Sequence, residues 1–536
     1  MKRREFLRKG IQIGLAAPAL PALIGSMPRQ ILGKGAISKT PQSNNNHVLV
    51  MVQLSGGNDG LNCLVPITDP MYPKLRPHLG INTPDFRNNI LPDHPTLAMH
   101  ERLPKTFQLY KSRRMTILQN VGYPNPDFSH FRATDIVETC TDTNITKESG
   151  WVGRLLREQH PTFSMTQVAA GSDPLTIHFG ATYSKLFKTK PLTSIPGDSG
   201  EMGIPVYQLP DPVTQSTHTY DPIPSNPDTA YQALDYIRNV ERETEVYNAV
   251  LASRSVKANK VTYPDTQLGQ QLSSTAQLIA SGLGTKIYVV TQGGYDFHSE
   301  LLSGQAARHV DLDAALWAFQ NDLEALGIAD NVITMTYSEF GRRPSENGSG
   351  TDHGASYPLF VIGTRVKGGT LGNDPDLVNL INDNLNYDQM HDFRNVYATM
   401  MSEWLGVDDT TINNVLTASH GEVYSTISTW QKLNLFIPQG VAPTVENSKF
   451  GLMMVQNHPN PFTASTTIEF ALPKQMQVQL SIWNMAGQEV ARLVDRTMSE
   501  GNHRVEFRPS GLPTGRYLYR LQTPETQLAR EMMLLK

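Results

Sequence analysis

Five short apolar runs, each joined to a polar loop, dominate the chain between residues 47 and 363. Residues 47–52 (HVLVMV) lead into QLSGGNDG, 115–119 (MTILQ) into a proline-containing loop and a helix-like run that starts near Ser129, 286–290 (KIYVV) into TQGGYDFH, and 331–337 (NVITMTY) into SEFGRR. Residues 359–363 (LFVIG) follow TDHGASYP instead. Runs without clean alternation read as strands buried on both faces. Residues 304–326 place Ala307, Val310, Ala314, Leu316, Phe319 and Leu323 at roughly helical spacing and read as a helix covering one face. The pattern predicts an α/β fold: a mostly parallel sheet with helices on both faces, whose ligands bind outside the carboxyl ends of the strands.

The remaining features set limits. With 46 basic against 50 acidic side chains there is no basic field, so nucleic acid is not an expected partner. Two cysteines, Cys63 and Cys140, allow one bridge at most. A metal would therefore need His and carboxylate ligands. Lys2, Arg3, Arg4 and Arg8 precede an apolar stretch over 11–27 broken by Pro18 and Pro21, and residues 1–35 read as an export signal resembling the twin-arginine type. No later window reaches eighteen apolar residues, so no permanent transmembrane segment is expected. Residues 45–433 read as the main domain, within which 189–227 form a long loop or lid. Residues 434–455 read as a linker. Residues 456–536 carry short strands at 469–472, 477–483, 503–507 and 516–521, suited to a small antiparallel β-sandwich.

Four polar clusters fall at predicted strand ends. Asp59 lies in a glycine-rich turn that suits either a cation or an Asx turn. Asp296 and His298, two apart, share a side if the backbone is extended. Asp352-His353 and His391-Asp392 complete the set, with helix or turn capping as their alternative roles. Ser129, at a helix start, reads as a nucleophile or an ordinary N-cap. Arg132, Arg342 and Arg343 suit phosphate or sulfate oxygens, or else surface salt bridges. Glu339 reads as a ligand or an orienting group, while His130, His309 and His503 are not assigned as ligands. Two divalent cations about 4 Å apart would activate a nucleophile and stabilise attacking and leaving oxygens. Mixed His and carboxylate ligation favours zinc or manganese.

LSGGNDGLN, SHFRATDI, GGYDFHSE, SEFGRRPSENGSGTDHG and HDFRNVYATM together resemble the domain of unknown function numbered 1501, which looks like the alkaline phosphatase and sulfatase superfamily, over roughly residues 45–415. The resemblance implies an alkaline-phosphatase-like fold with one metal on Asp59, Asp352 and His353 and a second on Asp296, His298 and His391. Ser129 would bridge them and form a covalent phospho-intermediate. Asp296 and His298 stand two apart where four is common, and the serine lacks the Cys/Ser-x-Pro-x-Arg context of formylglycine sulfatases, which favours phosphate. QNHPNPF, IWNMAGQEV, GLPTGRY and the terminal LLK resemble the type IX secretion sorting domain, an immunoglobulin-like sandwich. That implies export and type IX machinery as partners and a secreted or outer-membrane surface location. The reading is an exported metal-dependent hydrolase acting on an anionic small-molecule or polymer phosphate ester. The alternative is a metal-stabilised surface or polysaccharide-binding protein without turnover.

Overall fold

The structure, a computed structural model, describes residues 46–81, 88–163, 173–179, 184–190, 202, 204–206, 257–387, 391–419, 421–427, 430–437, 453–454, 457, 459–472, 474–524 and 527–535. The export signal and most of the expected lid lie outside the described residues. Nine strands form the main sheet: β1 (Val48–Leu54), β2 (Met115–Gly122), β3 (Thr176–Phe179), β4 (Ile204–Val206), β5 (Ile287–Gln292), β6 (Val332–Tyr337), β7 (Tyr357–Ile362), β8 (Gly369–Leu371) and β9 (His391–Asp392). The order is β8-β2-β7-β6-β1-β5-β3-β4, with β9 beside β2. Every pairing is parallel except those of β7, which runs antiparallel to β2 and β6.

The apolar runs make these strands because nearly every side chain of β1, β2, β6 and β7 is buried. A sheet covered on both faces requires this. Helices α1 (Pro104–Lys111), α2 (His130–Thr139), α3 (Trp151–Gln159), α4 (Gln267–Ala280), α5 (Leu301–Ala325) and α6 (Phe393–Thr399) supply the cover. The buried side of α5 is more polar than its spacing predicts. Val310 is 52% exposed, whereas Gln305, His309 and Asp313 are buried. For two of these the reason is hydrogen bonding: Gln305 Nε2 donates to the Asp59 carbonyl, and Asp313 accepts the Thr106 N–H, while His309 packs edge-on against His100 with ring centroids 4.7 Å apart. Among the described residues no helix is long and apolar enough to cross a membrane. Cys63 and Cys140 are both free thiols, buried.

The C-terminal part has its own core, in which Ile468 and Phe470 of a three-stranded sheet meet Val478, Leu480 and Tyr519 of a four-stranded one. Its strands are β10 (Met453–Met454), β11 (Thr466–Leu472), β12 (Met476–Asn484), β13 (Glu489–Met498), β14 (Gly501–Phe507), β15 (Gly515–Gln522) and β16 (Gln527–Leu534), all paired antiparallel. β13 and β16 escape the sequence pattern because each leaves much of its length exposed and polar.

One buried acid couples this architecture to pH. Glu138, near the end of α2, accepts hydrogen bonds from Ser184 Oγ at 2.7 Å and the Lys185 N–H at 2.8 Å. Burial nevertheless pushes its carboxyl up from 4.5 to about 7. The folded chain then holds the proton more tightly than the unfolded one, so stability is full below 4.5, falls as pH rises through about 7, and levels off above. Glu138→Gln should remove that slope, worth on the order of 3 kcal/mol. Thermal melts should show the variant gaining on the wild type at pH 8 and not at pH 5. Parallel pH profiles for the two would dismiss the assignment.

Candidate metal centre

The topology gathers the polar clusters at one edge. The loops after β1, β2, β5 and β6 leave the carboxyl end of the sheet. β7 runs the other way, so the residues before it, Asp352 and His353, reach the same edge. Gly56, with φ +119°, lets the β1 loop pass close to the β5 loop, since a Cβ there would lie 2.5 Å from the Asp296 amide nitrogen.

His130, Asp296 and His353 offer ligand atoms within 4.8 Å of one another, and their donor chemistry suits a metal ion. Each imidazole is oriented from behind. His130 Nδ1 lies 2.9 Å from Glu339 Oε1, and His353 Nδ1 lies 2.6 Å from the Phe128 carbonyl. Both partners only accept, so both Nδ1 atoms carry the proton, and each neutral ring presents a lone pair at Nε2. His298 Nδ1 faces Asp352 Oδ1 at 3.3 Å in the same sense. The three Nε2 atoms converge on one carboxylate. Those of His298 and His353 are each 3.1 Å from Asp296 Oδ1, and that of His130 is 3.3 Å from Oδ2. His298 and His353 Nε2 are 3.0 Å apart. Two lone pairs at that separation repel unless a proton or cation lies between them. His130 Nε2 is in addition buried without a hydrogen bond, so a cation suits the set.

Asp296 is held ionised. Burial opposes its charge, but the buried Arg342 guanidinium bonded to it outweighs this and keeps the carboxyl far below the usual range. His130 titrates above the ordinary histidine value, raised first by its bond to Glu339 and opposed by burial. Asp352 is shifted down, first by the amide of Asn347. Buried Glu339 also accepts the Gly56 N–H at 2.8 Å, which ties the β1 loop to α2 through His130.

The other expected site residues are distributed as follows. Ser129 is exposed at the N-cap of α2, one residue from His130, and its side chain makes no capping hydrogen bond. Arg342 is buried and donates to the carbonyls of Gly56, Gly57, Tyr295 and Thr351 as well as to Asp296 Oδ1 at 2.6 Å. Arg132 donates to the carbonyls of Asp142, Thr143 and Ile145. Both guanidinium groups therefore serve the fold, and Arg342 also fixes Asp296. Arg343 is half-buried and donates to the His353 carbonyl at 3.4 Å. Asp59 is buried against Arg76 at 2.7 Å. His391 sits beside β2, where a Cβ on Gly372 would lie 2.9 Å from its Nε2. The structure thus groups His353 with Asp296 and His298, and places neither Asp59 nor His391 in the cluster. It adds His130, which the sequence reading set aside. The available signal was Glu339 at a strand end, a carboxylate in need of a histidine to orient.

Comparison with known proteins adds two family matches. A protein of unknown function (DUF1501) model matches residues 217–420, and a secretion system C-terminal sorting domain model matches residues 457–534. A search of curated proteins returned no match. Among solved structures, a protein in the alkaline phosphatase superfamily from Vibrio parahaemolyticus is 10% identical with a TM-score of 0.31, over 89% of this chain and 85% of its own. A sulfatase from Pseudoalteromonas sp. is 11% identical with a TM-score of 0.30, over 95% and 88%. PorZ, a surface component of the type IX secretion system of Porphyromonas gingivalis, is 13% identical with a TM-score of 0.12, over 19% of this chain and 14% of its own length. At these scores none of the three fixes the fold.

Proposed function

We propose that this chain, which carries a DUF1501 domain and a C-terminal type IX secretion sorting domain, is an exported metal-dependent hydrolase of phosphate esters with Ser129 as nucleophile. The observation that carries the reading is the convergence of three imidazole Nε2 atoms on Asp296, with each Nδ1 turned to an acceptor. His130, Asp296 and His353 would hold a divalent cation, and His298 stands close enough to join them. When bound, the cation would act as a Lewis acid that lowers the pKa of a nearby hydroxyl and polarises a phosphoryl oxygen.

The chain supplies the rest. Ser129 offers an exposed Oγ with no capping duty, and the first-turn N–H groups of α2 can hold an anion beside it. Arg343, half-buried with one weak carbonyl contact, would meet substrate oxygens. Arg342 and Glu339 keep Asp296 and His130 in place. The sorting domain accounts for delivery to the cell exterior.

The test is metal binding together with an ester panel. The purified chain should bind zinc or manganese and hydrolyse 4-nitrophenyl phosphate only when loaded. Asp296→Asn should weaken metal binding by at least the roughly 10- to 100-fold typical of losing an outer-shell partner, measured by chelator competition. Wild-type metal affinity in that variant, or turnover that survives chelation, sinks the reading.

A further inference from the structure

Phe131 is 89% exposed, the highest value for a large apolar side chain among the described residues. It occupies the first turn of α2, directly after His130 and two residues after Ser129. An aromatic ring in water contributes nothing to the core, so packing does not explain it. The histidine cluster is open to solvent too. The side chains of Asp296, His298 and Asp352 are 45%, 48% and 43% exposed, and Ser129 is exposed as well. Beneath them lies a buried aromatic floor, Phe340, with its ring centroid 4.9 Å from that of His130 and 4.3 Å from that of His353. An anionic group held between Ser129 and the histidines would leave the rest of the ester to extend outward over the first turn of α2. Phe131, two residues after the N-cap Ser129, is an exposed apolar side chain of that turn.

We infer that Phe131 is a specificity residue whose ring face receives a ring of the leaving group. The substrate class is then an ester of a ring-bearing alcohol, a pyranose or an aryl group, presented from an open surface. An acyclic alcohol has no face to stack. This inference rests on the reading of Ser129 and the histidine cluster as the active site.

The test compares wild type, Phe131→Ala and Phe131→Leu, all zinc-loaded, in two assays. Calorimetry with phenylphosphonate and methylphosphonate reads binding without turnover. Kinetics with phenyl phosphate, glucose 1-phosphate and glycerol 3-phosphate separate aryl, sugar and acyclic leaving groups. In Phe131→Ala the Kd for phenylphosphonate and the KM for ring esters should rise about 3- to 10-fold, as expected for one lost ring contact. Values for methylphosphonate and glycerol 3-phosphate, and metal content, should not move. Phe131→Leu should recover only part of the ring preference. Whichever ring ester responds more strongly identifies the aryl or the sugar source. A wild type that binds phenylphosphonate no better than methylphosphonate overturns the inference, as does an equal effect of Phe131→Ala on ring and acyclic ligands. If ring selectivity in binding depends on Phe131 and no ester turns over, the hydrolase reading fails and the leaving-group role falls with it, while Phe131 remains a ring-binding residue.

Discussion

Ser129→Ala is expected to lower turnover of phosphate esters by about 10³-fold or more while leaving stability and metal content unchanged. The size follows from loss of a covalent nucleophile, since groups that act as a unit in such chemistry fail together. The unchanged stability follows from geometry. Ser129 stands at the N-cap of α2, where removal of a capping hydroxyl ordinarily costs about 1 kcal/mol. Here the hydroxyl caps nothing, and the serine N–H is satisfied by Asp127 Oδ1 at 2.8 Å. The two roles that the sequence leaves open thus predict opposite phenotypes. A structural cap loses stability and keeps activity, and a nucleophile does the reverse. Steady-state kinetics on the metal-loaded variant, beside its thermal melt, separates them. Equal turnover without the hydroxyl ends the covalent mechanism.

Much of the fold was legible because local sequence decides it. The five apolar runs have no alternative to a sheet interior, and all five appear as β1, β2, β5, β6 and β7. The grouping of the site was not legible, because it depends on which strands are neighbours and on the reversed direction of β7. That reversal sets His353 beside His298 and Asp296. A histidine at a helix start, such as His130, also looks like a surface residue until Glu339, 209 positions away, is seen against its Nδ1. The arginines kept two readings for a related reason. A guanidinium suits backbone carbonyls as well as phosphate, and only the packed loops show that Arg132 and Arg342 hold carbonyls.

Arg76→Met is expected to destabilise the main domain by about 3–5 kcal/mol, because it strands a buried carboxylate. Asp59 and Arg76 have side chains with no exposure and meet at 2.7 Å. Asp59 Oδ1 also accepts the Asn62 N–H at 3.0 Å, and Oδ2 accepts the Thr351 hydroxyl at 3.1 Å. Arg76 also donates to the Asn62 side-chain oxygen and to the Pro344 and Arg343 carbonyls, each at 2.8 Å, and so fastens the loop that precedes β7. The glycine-rich turn that makes Asp59 look like a ligand instead starts a short helix and anchors an ion pair. Urea unfolding of Arg76→Met should show the loss as a lower midpoint. Asp59→Asn, which keeps the shape and the Asn62 and Thr351 contacts, should lose less stability and retain wild-type zinc affinity. If Asp59→Asn instead unfolds like wild type and binds zinc poorly, Asp59 leaves its arginine to join the metal centre, and the loop after β1 must be able to rearrange around the ion.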